Sequence, residues 1–173
     1  NDWSSTLPED NRSFIYPAFN TSFVFTEALG WENNFLNFGK LRASWGQTGN
    51  DALPYLVQST LVTGDIYNNF GTLKFPFNGI NAFEVGNRIG NSSLKPEIST
   101  EFEFGGDFKL LSNKVGVSVS FYDKRTDGQI FPVPVASTSG YTGQTANVGL
   151  VQNKGIELLV NFTAIQTTNF RWD

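Results

Sequence analysis

One stretch, Glu97–Leu111, constrains this chain more than any other. Its even positions read Ile98, Thr100, Phe102, Phe104, Gly106, Phe108 and Leu110. Its odd positions read Glu97, Ser99, Glu101, Glu103, Gly105, Asp107 and Lys109. Successive side chains of a strand point to opposite faces, so this pattern predicts one long strand with an aromatic face and a charged face. Such a strand separates two very different media.

The period-two pattern recurs. Val115, Val117, Val119 and Phe121 alternate with Gly116, Ser118, Ser120, Tyr122 and Lys124. Ile156, Leu158, Val160, Phe162 and Ala164 alternate with Gly155, Glu157, Leu159, Asn161 and Thr163, Leu159 being the exception on the polar side. Leu41, Ala43 and Trp45 alternate with Lys40, Arg42, Ser44 and Gly46. A less clean run predicts a strand through Ile15, Pro17, Phe19, Phe23 and Phe25, with Val24 on the wrong face and Pro17 unable to donate to a ladder.

Connections alternate in length. Tight polar turns are expected at 112–114 and 166–169, an intermediate link at 27–37, and long Gly/Asn/Pro-rich loops at 49–95 and 130–149. Antiparallel strands with short turns at one end and long loops at the other describe an outer-membrane β-barrel. Strands of about 11–17 residues exceed the 9–11 that cross a bilayer. A soluble β-sandwich also alternates, but its strands are usually about 5–6 residues, and charges packed along one face fit it poorly. The expected class is all-β, an antiparallel transmembrane barrel segment of about five or six strands. The alternative is a soluble or surface-attached carbohydrate-binding sandwich, distinguished by whether lipid or a second sheet meets the apolar face.

Composition agrees and excludes much chemistry. Aromatics make up 15% of the 173 residues, charged residues only 16%, and seventeen Gly are present. That is too aromatic for a disordered chain and too poor in helix formers for a bundle. Histidine and cysteine are both absent, so the usual zinc sites, Ser-His or Cys-His nucleophile pairs and disulfides are excluded. No metal or cofactor is expected. A net charge of −4 argues against nucleic acid as a partner. No apolar run approaches 18 residues, so no membrane helix is expected.

Five motifs sharpen this outline: Asn1-Asp2-Trp3-Ser4-Ser5-Thr6-Leu7-Pro8, Lys40–Asn50 (KLRASWGQTGN), Asn91-Ser92-Ser93-Leu94-Lys95-Pro96-Glu97, Asn147-Val148-Gly149 and Asn153-Lys154-Gly155-Ile156-Glu157. In this order and spacing the chain, from Asn1 to Asp173, resembles the carboxy-terminal barrel region of the SusC/RagA family of TonB-linked outer-membrane transporters. The resemblance implies a bacterial outer-membrane location and a larger barrel, typically of 22 strands around an amino-terminal plug. It further implies import of oligosaccharides or peptides, a SusD-like lipoprotein partner, and TonB acting through segments outside this sequence. Residues 1–173 then form part of a receptor barrel, with 49–95 a long extracellular loop.

Candidate site residues follow. Lys40, Arg42, Glu101, Glu103, Asp107, Lys109 and Glu157 are expected to face the lumen, as a solvated wall more than as solute contacts. Phe102, Phe104, Phe108, Val117, Val119, Ile156, Leu158 and Phe162 are expected to face lipid. Trp45, Tyr122 and Trp172 are candidates for interfacial aromatic girdles. In the 49–95 loop, Tyr55, Tyr67 and Phe70 are the ligand-binding candidates, since rings stack on sugar faces; packing within the loop or against the lipoprotein is the blander role. Glu101 and Glu103 are two apart on one face, about 7 Å, but nothing else supports catalysis, and no enzyme is expected.

Overall fold

The computed structural model of the chain describes residues 1–31 and 33–173. Its largest sheet has five strands: β1 (Ala18–Val24), β2 (Leu36–Asn50), β3 (Glu97–Leu110), β4 (Val115–Asp127) and β5 (Leu150–Phe162), each beside the next in chain order. β1 and β2 are antiparallel, with Phe19 opposite Trp45, Thr21 opposite Ala43 and Phe23 opposite Leu41. Side-chain contacts give the other pairs the same sense. Lys40 meets Asp107 and Gln47 meets Thr100 between β2 and β3. Asp107 meets Ser118 and Ser99 meets Thr126 between β3 and β4. Tyr122 packs at Gly155 and Lys154 meets Asp123 between β4 and β5. In each pair a rising number on one strand meets a falling number on its neighbour.

β2, β3, β4 and β5 run 15, 14, 13 and 13 residues, more than twice the usual strand of a soluble sheet. β3 and β4 are joined by the turn Leu111–Lys114, in which Leu111, Ser112 and Asn113 all have positive φ. The turn is tied down, because the Lys114 N–H donates to the Leu111 carbonyl and the Asn113 N–H to the Asn37 side-chain oxygen.

Two expected boundaries are corrected. The first strand ends at Val24, and Phe25–Leu29 is a short helix instead of the strand's last residue and the start of a link. Its end is fixed by Gly30 at φ 64° and by the Trp31 N–H donating to the Thr26 carbonyl. The Thr26 hydroxyl accepts from the Gly39 N–H at 3.0 Å and donates to its carbonyl at 3.3 Å, holding the turn of helix on β2. Alternation in the sequence runs through Phe25 and hides this. Near the other end, Gln166 belongs to the pair Ile165–Gln166 with Arg171–Trp172, and the turn between them is closed by the Thr167 N–H on the Phe170 carbonyl.

The chain divides into two compact units. One holds the sheet (residues 16–48, 99–126 and 150–173); the other gathers residues 1–15, 49–98 and 127–149. The second unit carries short paired strands where open loops are expected: Leu61–Thr63 with Phe83–Val85, Ile66–Asn68 with Gly71–Leu73, Ile130–Pro134 with Gly143–Asn147, and Arg88–Ile89 parallel to the start of the last. Asp2–Trp3 pairs with Ser13–Phe14. Its core is Leu7, Ala52 and Leu94, with Phe14, Leu56 and Ile130 packed around them.

Candidate functional site

The sheet has one charged face. Lys40 Nζ lies 3.5 Å from an Asp107 carboxylate oxygen, and Arg42 reaches Glu103 at 3.7 Å and Asp107 at 4.0 Å. Lys124 pairs with Glu101 at 3.7 Å, and the Ser118 hydroxyl donates to Asp107 at 2.7 Å. Lys109 Nζ sits 5.7 Å above the Phe38 ring. Six of the seven charged candidates, Lys40, Arg42, Glu101, Glu103, Asp107 and Lys109, are thus brought onto adjoining strands of one face. Glu157 follows on β5, two residues after Gly155, over which the Tyr122 ring lies. That contact takes Tyr122 into the polar face, so it is not part of an aromatic girdle.

Arg42 crosses this face to hydrogen-bond the Ser120 hydroxyl. It passes directly over Gly105: a Cβ there would fall 2.7 Å from Arg42 Nε and 2.8 Å from the Val119 carbonyl. The glycine that interrupts the charged run is therefore the seat of a guanidinium. The ion pairs are about a third to a half exposed, and such pairs contribute roughly 0–1 kcal/mol each. What they provide is a partly exposed wall of both signs. Glu101 and Glu103 each hold a cation, Lys124 and Arg42 respectively.

The opposite face is apolar across all five strands. Phe19 and Phe23, Leu41 and Trp45, Phe102 and Phe104, Val119 and Phe121, and Ile156, Leu158, Val160 and Phe162 are exposed, from 36% at Trp45 to 74% at Ile156. Phe108 and Val117 are half-buried, Phe108 because the Phe25 ring lies 6.4 Å away. Phe19 stacks on Trp45 at 6.0 Å. In the sheet unit every buried residue among those described is Thr26, Gly39, Gly105, Gly106 or Ser120. The unit is polar or backbone-lined where a soluble domain is greasy, and greasy where such a domain is polar; apolar patches of this extent mark membrane or protein contact surfaces. No second sheet covers this face among the described residues.

The apolar band has a sharp limit at the end of the sheet away from the β3–β4 turn. Gln47 bonds Thr100 there at 3.2 Å, and Asp123 gathers Lys154 at 3.3 Å, Arg125 at 3.4 Å and Gln152 at 2.7 Å. All six lie at positions that continue the apolar face.

In the second unit, Tyr55 is 81% exposed, has φ 65°, and lines a cavity of about 630 Å³ with Glu9, Arg12, Gln58 and Ser92. Tyr67 and Phe70 do not line it; they sit on the hairpin Ile66–Leu73, exposed by 74% and 100%. The three ligand candidates are not one cluster. The family-like motifs turn out to be scaffold, which sequence reasoning missed. Leu7 and Leu94 are fully buried, as is Thr145, and Ser4 donates to Asp51 at 2.5 Å. Asn147 accepts from the Lys95 N–H and donates to the Lys95 and Gly128 carbonyls. Glu97 accepts from Asn50 at 3.1 Å and from the Ile130 N–H at 2.7 Å. The available signal was the single leucine in each of two mainly polar motifs, Leu7 in Asn1–Pro8 and Leu94 in Asn91–Glu97.

Known proteins match this geometry. A family model described as TonB dependent receptor-like, beta-barrel matches residues 1–173. TonB-dependent receptor P26 of Formosa agariphila is 30% identical over 177 residues, which is 99% of this chain and 17% of that protein. TonB-dependent receptor SusC of Bacteroides thetaiotaomicron is 30% identical over 186 residues, again 99% and 17%. A solved structure of the RagAB peptide transporter superposes with a TM-score of 0.80 at 25% identity, over 98% of this chain and 18% of the matched one. The chain spans about a sixth of the length of the curated relatives it matches. These relatives are receptors of the outer membrane and not enzymes. With its long antiparallel strands, its inverted faces and a match over every residue, the chain belongs to the TonB-dependent receptor β-barrel family, as a barrel segment of the SusC/RagA kind.

Proposed function

We propose that this segment is part of the wall of a TonB-dependent importer of nutrients such as oligosaccharides or peptides. The apolar face of β1–β5 meets lipid, the charged face lines the lumen, and the unit built from 49–95 and its partners folds on the extracellular side. The observation that carries this is the inversion of the sheet: exposed Phe, Leu, Ile and Val on one face, ion pairs on the other, in register across five strands. Lipid is the one medium that stabilises such a face. The wall does no bond chemistry; its mixed charges keep the lumen hydrated and present hydrogen-bonding groups to a plug or a passing solute.

A SusD-like surface lipoprotein and TonB are the proposed partners of the whole receptor, supported by the likeness to SusC and to the two-component RagAB importer. Tyr55, held at positive φ beside Glu9 and Arg12, is the loop residue best placed to contact a captured solute. An antibody against 49–95 tests the location: it should stain intact cells and detect a heat-modifiable outer-membrane band. Recovery of the protein in the soluble fraction refutes the proposal. In the full-length receptor, Tyr55→Ala should weaken binding of its oligosaccharide or peptide several-fold while the heat-modifiable band persists; unchanged binding removes Tyr55 from the site.

A further inference from the structure

The link between β1 and β2 carries more apolar surface than a turn in water needs. Leu29, Trp31 and Phe35 are 50%, 59% and 63% exposed, within a few residues of one another. Phe25, at the head of the short helix, does not point away from the sheet. Its ring edge lies on Gly39, where a Cβ would collide with the Phe25 Cζ, and it meets Phe108 on β3. Trp31 meets Phe25 edge-on at 6.1 Å with an interplanar angle of 70°. Gly39 and Phe108 belong to the apolar face, two residues beyond Leu41 and Gly106. The helix is therefore folded back along that face and continues it past the end of the strands.

The height of the band gives this surface a use. Glu101 meets Lys124, so Phe102 and Asp123 lie at one level, where the apolar band ends on β3 and the polar limit begins on β4. From Phe102 to Leu110 the apolar positions cover about 27 Å along β3, at about 3.4 Å per residue. At a strand tilt of about 40° that is roughly 21 Å along the membrane normal, against an apolar band of about 25 Å in outer-membrane barrels. The shortfall of about 4 Å cannot be made up at the loop end, where Gln47, Thr100, Asp123 and Lys154 close the band. It falls at the end where Phe25, Leu29, Trp31 and Phe35 sit.

We propose that Phe25–Trp31 and Phe35 act as an interfacial anchor, with Leu29, Trp31 and Phe35 in the zone between the headgroups and acyl chains of the periplasmic leaflet. Amphipathic rings favour this zone, and Gly39 is the notch that lets the anchor lie flat against the barrel. This rests on the lipid-facing reading of the sheet. In the full-length receptor, with cysteines elsewhere replaced, single Cys at Leu29, Phe35, Phe104 or Lys114 would carry an environment-sensitive fluorophore. The protein would be placed in phosphatidylcholine vesicles bearing a doxyl quencher near the headgroup or near the chain end. Labels at Leu29→Cys and Phe35→Cys should be blue-shifted and quenched more by the shallow doxyl than by the deep one. Lys114→Cys, in the neighbouring turn, should report water. A water-like signal at 29 and 35 overturns the anchor, and so does a blue shift without lipid quenching, which would mean another part of the barrel covers the segment. If Phe104→Cys is quenched by neither doxyl, the lipid-facing reading itself has failed.

Discussion

Val119→Arg places a charge where the apolar face is deepest. Asp107 meets Ser118, so Val119 stands level with Gly106, midway between Phe102 and Leu110; Lys154 meeting Asp123 puts Leu158 at the same level on β5. Val119 is 37% exposed on the apolar face, so the guanidinium would point outward without a carboxylate beside it. An arginine at the midplane of a barrel's lipid face costs about 2–4 kcal/mol. At 1.4 kcal/mol per decade that lowers the folding equilibrium by roughly 30- to 700-fold. The comparison that isolates the cause is one residue away. Ser118→Arg puts the same group on the other face, beside Asp107, where the lost hydroxyl hydrogen bond sets the cost at about 1 kcal/mol. Gln152→Arg, beyond the band, should cost about 0–1 kcal/mol. Guanidinium unfolding of the full-length receptor in lipid vesicles measures all three. Equal losses for Val119→Arg and Ser118→Arg, or no loss for Val119→Arg, would refute the assignment of faces.

Gly105→Ala should destabilise the barrel by about 1–3 kcal/mol, because its Cβ meets the Val119 carbonyl and Arg42 Nε below 3 Å; a lowered melting temperature in detergent, partly restored by Arg42→Ala, is the expected result. Leu94→Ala empties a fully buried position and should cost about 2–5 kcal/mol within the loop unit alone. Faster proteolysis within 49–95, with the heat-modifiable band intact, checks it.

The long strands were legible because a period of two is local: Glu97–Leu111 carries its two faces in consecutive letters, and β3, β4 and β5 follow such runs closely. The short helix was not, since Phe23 and Phe25 keep the alternation while Thr26 makes its decisive hydrogen bonds with Gly39, thirteen residues away. The loop unit was read as open loop because its order comes from distant pairs such as Leu7 with Leu94 and Asn147 with Lys95, which no window contains. Gly105 looked like a gap in the charged face, and only the neighbouring strands reveal the Arg42 side chain lying on it. Residue type alone groups Tyr55, Tyr67 and Phe70 as ligand candidates, whereas of the three Tyr55 alone lines the cavity.

The small core of the loop unit has a consequence for register. Alternation specifies which face a residue takes, yet a slip of two residues leaves every face unchanged, so the pattern alone tolerates strand pairs offset by about 7 Å. Leu7 and Ala52 flank the β1–β2 pair in the chain, and Leu94 and Ile130 flank β3–β4. Ala52 lies two residues past β2, Leu94 three before β3, and Ile130 three after β4. A two-residue slip between neighbouring strand ends would part Glu97 from Asn50 and Ile130. The residues of this unit that hold the strand ends thus act as a vernier, selecting one alignment among several that the alternating pattern finds equally acceptable.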